Sequence, residues 1–165
     1  PPHRRLRKFQ KQVKAHQATA VAGDFASANP HTAMLAGEGT LVSGASGVNV
    51  GVFAWANADG IVSNKKSVGA RLGFVHREQQ ASMADYLAEY SNTILAGQAM
   101  TLMSGGDFWA SFANGAVIGQ NVFANDTDGT LKSSSATTEA GYTLTPFKVA
   151  STAGAGELAK ITSWE

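Results

Sequence analysis

The chain has 165 residues, no cysteine and a charged content of only 15%. That length suits one domain, which buries about two thirds of its unfolded surface without a staple, and the missing thiols exclude disulfides, thiolate nucleophiles and Cys-held metals. No apolar run approaches the roughly 18 residues of a membrane span, and the basic N-terminus lacks the apolar stretch of a signal peptide, so a soluble protein outside the secretory route is expected.

The net charge of +1 hides an asymmetry. Arg4, Arg5, Arg7, Lys8, Lys11 and Lys14 place six of the thirteen basic residues before the first acid, Asp24. The remainder carries seven basic against twelve acidic residues, 7 − 12 = −5. A basic arm, residues 1–20, therefore precedes an acidic body, residues 21–165, read as a single β-domain. So sparse a charge suggests that part of the surface is covered by a partner.

In the arm, Leu6, Phe9 and Val13 form a thin apolar stripe. Three readings stay open: a segment that orders only on an oppositely charged surface, a nucleic-acid arm, or a short docked helix. Val21–Pro30 reads as an extended lead-in, with Pro30 forcing Asn29 away from helix. Leu35–Val42 predicts a glycine-punctuated strand. From Val48 to Trp55 the valines and aromatics occupy alternate registers, which predicts a strand covered on both faces. Asn57-Ala58-Asp59-Gly60 is a turn leading into Ile61-Val62. Neither Gly37-x-Gly39 nor Gly44-x-x-Gly47 precedes a helical pattern, and no Gly-Lys-Ser/Thr occurs, so these glycines serve turns rather than phosphates.

Arg71–Glu78 alternates as a strand with Leu72, Phe74 and His76 on one side. The four histidines share no metal-ligand spacing, so His76 is expected to be half-buried and hydrogen-bonded to Glu78 or backbone. Gln79–Ser91 is the one helical window outside the arm, with Met83, Leu87 and Tyr90 at i, i+4, i+7. Asp85 and Glu89 sit at i, i+4 within it, the ordinary spacing of a solvated face rather than a catalytic pair.

The body is organised around Gly97–Phe112, read as strand, bend, strand. Gly105-Gly106 supplies the corner a sheet needs to fold over on itself, and Asp107 accepts hydrogen bonds from turn amides. Beyond it come a turn at Asn114-Gly115, strands at Ala116–Ile118 and Gly119–Ala124, and a turn at Asn125–Gly129. That turn carries a fragment of a calcium loop but lacks its terminal Glu. Then follow a return at Thr130–Lys132, an edge strand through Tyr142, Leu144, Pro146 and Phe147, and a last strand over Glu157–Trp164.

Many short strands without βαβ alternation predict an all-β sandwich or barrel with an extended basic N-terminal arm and at most one short helix. Ser, His and Asp occur with no recognised catalytic spacing, so neither an active site nor a cofactor is expected.

Gly51-Val52-Phe53-Ala54-Trp55-Ala56, Gly73–Gln80, Gly105-Gly106-Asp107-Phe108-Trp109 and Gly119–Ala124, in this order and spacing, resemble the structural cement proteins of tailed bacteriophages. The similarity runs from about Val21 to the C-terminus and leaves the arm outside. It implies a jelly-roll-like, dimeric β-domain on the outer surface of the virion capsid that ties neighbouring major capsid subunits together, with no membrane and no specific nucleic acid as partner. The competing readings are a nucleic-acid-binding β-barrel using the arm and exposed aromatics, and a hydrolase with His76 near Ser or Asp in a pocket.

Overall fold

The computed structural model describes residues 20–37, 39–77 and 93–164. Among them are fourteen strands and no helix. The first seven are β1 (Thr32–Ala33), β2 (Leu41–Ser43), β3 (Val48–Asn49), β4 (Phe53–Ala56), β5 (Ile61–Ser63), β6 (Arg71–Phe74) and β7 (Thr93–Ile94). The remainder are β8 (Ala99–Met100), β9 (Met103–Gly105), β10 (Asp107–Ser111), β11 (Asn121–Asn125), β12 (Leu131–Ser134), β13 (Tyr142–Val149) and β14 (Leu158–Thr162). The helical window Gln79–Ser91 and the basic arm lie outside the described residues.

The strands form three layers. A seven-stranded sheet has the order β1-β9-β6-β4-β5-β2-β8, a five-stranded sheet the order β10-β14-β13-β11-β12, and β3 pairs with β7. All pairings are antiparallel except β2 with β5. A parallel bridge from Phe112, just after β10, to Leu131 at the start of β12 draws the two ends of the five-stranded order together. The all-β sandwich-or-barrel reading therefore holds.

β4 shows why the layers stack. Its alternation puts Phe53 and Trp55 into the core between the two large sheets and Ala54 and Ala56 into a second core beneath the β3–β7 pair. All four are buried, as expected of a strand covered on both faces. The main core is aromatic: Phe74 lies 5.4 Å from Phe53 and 4.8 Å from Phe108, and Phe147 lies 5.7 Å from Phe53. β4, β6, β10 and β13 each contribute one of these rings, so burial of about 2 kcal/mol per ring acts across both sheets at once. On the other face, Gly73 lets Leu102 approach, since a Cβ there would sit 2.7 Å from the Leu102 Cβ.

The chain passes from the seven-stranded to the five-stranded sheet between β9 and β10, at Gly106 with φ +136°. A side chain there would meet His31 Cβ at 2.9 Å and the Phe108 ring at 3.1 Å. Ser163 pins the corner, its Oγ accepting from Gly106 N–H at 2.8 Å and its N–H donating to the Gly106 carbonyl at 3.2 Å. The predicted corner is thus present. The apolar run before it is two strands rather than one, because Thr101-Leu102 interrupts the ladder.

Other boundaries differ for local reasons. The strand expected over Leu35–Val42 starts only at Leu41, and Val48–Trp55 breaks at Gly51, whose φ is +81°. Ala116–Ile118 makes one bridge, Ala116 to Ala153, and then turns. β13 is not an edge strand; it lies between β11 and β14. Pro146, with no N–H to give, falls where the β11–β13 register shifts between Asn121 and Phe123. There the Thr145 hydroxyl donates to the Val122 carbonyl at 2.7 Å and accepts from Phe147 N–H at 3.2 Å, filling the gap in the ladder.

Candidate functional site

Among the described residues, Asp107, Asp126, Asp128, His31 and His76 are engaged in holding the fold. The lead-in runs along the free side of β10: Gly23 N–H donates to the Trp109 carbonyl at 2.8 Å, Trp109 N–H to Asp24 at 2.9 Å, and Ala26 N–H to Asp107 at 2.9 Å. Asp107 locks it there. Its Oδ2 accepts from Ser27 Oγ and Asn29 Nδ2, both at 2.6 Å. The acceptor role matches expectation, but the donors are side chains of the lead-in rather than turn amides. Burial pushes this carboxyl up, and hydrogen bonds from Ser27, Thr162 and Asn29 more than offset it, leaving the group below the usual carboxylate range.

His31 and His76 flank Phe25, with ring centroids at 4.5 and 5.4 Å, and Phe25 also stacks on Phe108 at 5.3 Å. His76 is buried rather than half-buried, and Glu78 lies outside the described residues. The histidines thus sit on an aromatic stack that fastens the lead-in. Among the described residues no group of three His, Asp or Glu side chains could hold a metal. In the Asn125–Gly129 turn, Asn125 Oδ1 accepts from Thr127 N–H at 2.9 Å, Asp128 Oδ1 from Thr130 N–H at 3.0 Å, and Asp126 Oδ1 from Thr143 Oγ1 at 2.6 Å. These oxygens cap a turn.

Arg4, Arg5, Arg7, Lys8, Lys11 and Lys14 lie outside the described residues, as do Asp85 and Glu89. So do Glu38, Glu78 and Glu165. Of the twelve acids, seven are described, against seven basic residues, 7 − 7 = 0. The acidic excess of the body therefore belongs to residues outside the described sheets, and the sheets themselves are neutral.

What remains for recognition is surface. Two groups of loops are distinct in chemistry. Residues 57–60, 64–71 and 125–130 carry six charged side chains in eighteen residues. Residues 113–120, 133–136 and 150–157 carry one, Glu157, in twenty. In the first group, Lys66 N–H donates to the Asp126 carbonyl at 2.8 Å, and Lys66 Nζ reaches Thr143 Oγ1 at 3.1 Å. A cleft of about 560 Å³ opens between Gly37, residues 56–60, Gly69 and Arg71, where the guanidinium donates to the Leu35 carbonyl at 2.9 Å. In the second group, Val117 and Ile118 stand 51% and 61% exposed. A smaller cleft of about 160 Å³ lies beside Asp107, Lys160 and Trp164.

Sequence reasoning found the corner and the capping turns, the arm lies outside the described residues, and the uncharged loop group was missed. Its three segments come together only through the sheet, and each alone reads as an ordinary polar turn.

The model of the XM1 gp53 minor capsid protein family matches residues 9–163. The match begins at Phe9, so it takes in Lys11 and Lys14, where the sequence resemblance had left the whole arm outside. No curated protein matches the chain. In three dimensions the chain is similar to one in the structure of the capsid of Myoviridae phage XM1, with a TM-score of 0.60 at 16% identity, covering 95% of this chain and 98% of that one. At that identity the likeness speaks for the fold, which the two share over nearly their full lengths. The family match spans almost the whole sequence, and the chain belongs to the XM1 gp53 minor capsid protein family, a family of phage capsid-associated structural proteins.

Proposed function

We propose that the protein is a capsid cement, or decoration, protein: it binds the outer face of the assembled phage head and ties neighbouring major capsid subunits together, with no catalytic role. The observation that carries this reading is the family match over residues 9–163, joined to described sheets in which Asp107, Asp126, Asp128, His31 and His76 are engaged in turns and packing. A cement protein acts by mass action, since anything that binds the assembled lattice better than free subunits stabilises the shell. A contact of about 800 Å² per partner is modest alone but strong when repeated across several subunits. The jelly-roll-like body and a homodimer on the lattice complete the proposal.

The arm, residues 1–20, extends in this reading to an acidic patch on a neighbouring capsid subunit. Fully extended, some twenty residues reach roughly 65 Å, enough to cross a subunit boundary. Six cations there give a contact that weakens with salt. Removing residues 1–19 is expected to lower retention on shells and flatten its dependence on salt; retention unchanged across a salt series would reject the arm's role. The nucleic-acid reading is not favoured, because the two exposed aromatics of the described body, Phe25 and Trp164, are tied into the lead-in, Phe25 by stacking on Phe108 and Trp164 by its hydrogen bond to the Pro30 carbonyl, and Phe53, Phe74, Phe108 and Phe147 are buried.

A further inference from the structure

The cleft of about 560 Å³ brings two opposite charges together without pairing them. Arg71 stands opposite Ala56 in the β4–β6 ladder, and the turn that follows Ala56 carries Asp59, so both line the same opening. Neither has an ion-pair partner among the described residues. Both are held in place. Asn57 Oδ1 accepts from Asp59 N–H and caps the turn, while the Arg71 guanidinium is aimed by its hydrogen bond from Nη1 to the Leu35 carbonyl. Its other donors stay open to a carboxylate.

The rim is apolar. Leu35 and Val68 are the most exposed large hydrophobic residues among those described. Ala70 N–H donates to the Ser67 carbonyl at 3.2 Å and Gly69 has φ +71°, so Ser67–Ala70 is a type II turn with Val68 at its tip. Of the neighbouring lysines, Lys66 reaches away to Thr143 Oγ1, and Lys65 lies outside the cleft walls.

A patch with one cation, one anion and two apolar side chains is complementary to its own image. About a twofold axis Arg71 of each copy meets Asp59 of the other, and the aliphatic side chains close around both pairs, which is the isologous arrangement of a homodimer. An arginine on a carboxylate within an apolar surround is also the make-up of an interface hot spot. A foreign partner would have to supply the same two charges in reversed order; a second copy carries them already. The outer face of the five-stranded sheet suits such a contact less. Lys148, opposite Thr162, lies on a diagonal of the β13–β14 ladder from Lys160, so a twofold contact there would gather four lysines.

We propose that the Arg71–Asp59 cleft, with Leu35 and Val68 on its rim, is the face through which two copies of the chain associate about a twofold axis. This rests on the homodimer of the capsid reading above and names its contact surface.

The test is a charge exchange in the full chain: Arg71→Asp, Asp59→Arg, the two combined in one chain, and an equimolar mixture of the two single variants. Self-association is followed by sedimentation velocity over a concentration series, shell binding by co-sedimentation, and folding by thermal melting. Each single reversal is expected to weaken self-association about tenfold or more. The combined variant should recover it, and the mixture should form the mixed dimer. Lys148→Glu should change nothing. Val68→Ser, at a turn tip in open solvent, should weaken association several-fold and keeps the face testable should Arg71→Asp fold poorly. Single reversals or Val68→Ser that leave self-association within about twofold of the parent would overturn this face while leaving a homodimer through another. Reversals that weaken it with no recovery on exchange would overturn the reciprocal pairing. Loss of shell binding with self-association kept would overturn it by making the occupant a capsid subunit. A parent chain that stays monomeric at every concentration would remove the homodimer and this face together, whatever its binding to shells.

Discussion

The two loop groups are built from similar lengths of chain, yet their polar chemistry is spent differently. In the charged group, side chains are turned inward on their own backbone. Asn57 Oδ1 accepts from Asp59 and Ile61 N–H at 3.0 Å, and Asn64 Nδ2 donates to the Phe53 carbonyl at 3.0 Å. Gly129 comes so close to β4 that its carbonyl accepts from Phe53 N–H at 2.9 Å. This end therefore joins the sheets. The uncharged group is also well hydrogen-bonded, and both groups leave aliphatic side chains outside, Val117 and Ile118 in one and Val68 in the other. The first loop group ties the two large sheets together, and the second is tied back onto Val149 and Thr152 around its own turn.

The sharpest way to break this comparison is a matched pair of glycine substitutions. At Gly129, φ is +74° and an added Cβ would lie 2.0 Å from the Phe53 carbonyl oxygen, so backbone must move. Gly129→Ala is expected to cost roughly 3 kcal/mol or more, lowering Tm by about 10 °C. At Gly119, with φ +87°, nothing lies within 4 Å of such an atom, and Gly119→Ala should cost only the left-handed penalty of about 1–2 kcal/mol. Equal losses by thermal melting would mean that the two loop groups are not mechanically different. Next in size, Asn125→Ala removes the acceptor for both Thr127 N–H and Thr127 Oγ1. About 1 kcal/mol of stability should go with it in a denaturant titration.

A third prediction concerns the lead-in, which belongs to neither group. The Asp107 carboxyl lies below its ordinary value of 3.8 in the folded chain, so its contribution is present above that value and is lost as pH falls through the lower, folded one. Fluorescence of Trp164, whose Nε1 donates to the Pro30 carbonyl at 2.8 Å, should thus be flat from neutral pH to about 4 and change below it. Asp107→Asn should remove that transition; a transition that persists would assign it to another group. Smallest of all, Val117→Ser and Ile118→Ser should change stability by no more than about 0.5 kcal/mol. A larger loss would mean that these two side chains support the fold.

Much of this architecture was legible because it depends on period and on glycine. The alternation in Phe53–Ala56 announced a strand between two layers, and Gly105-Gly106 announced the change of sheet. The position of β13 was not legible: Pro146 argues for an edge until the Thr145 hydroxyl is seen filling the gap it leaves. Nor was Ala116–Ile118, whose apolar, β-branched composition suits a strand while Gly119 ends it in a turn. Composition gave the shortage of charge but not its distribution. That one loop group holds six charged side chains and the other one follows only when the sheet brings residues 113–120, 133–136 and 150–157 together.

The central claim is that this body recognises a lattice rather than a lone subunit. Binding of the full-length protein to assembled shells and to unassembled major capsid protein, compared by co-sedimentation at matched subunit concentration, tests it most directly. Saturable binding to shells with little or none to free subunits is the predicted result. Equal binding to both, or none to shells, would contradict it.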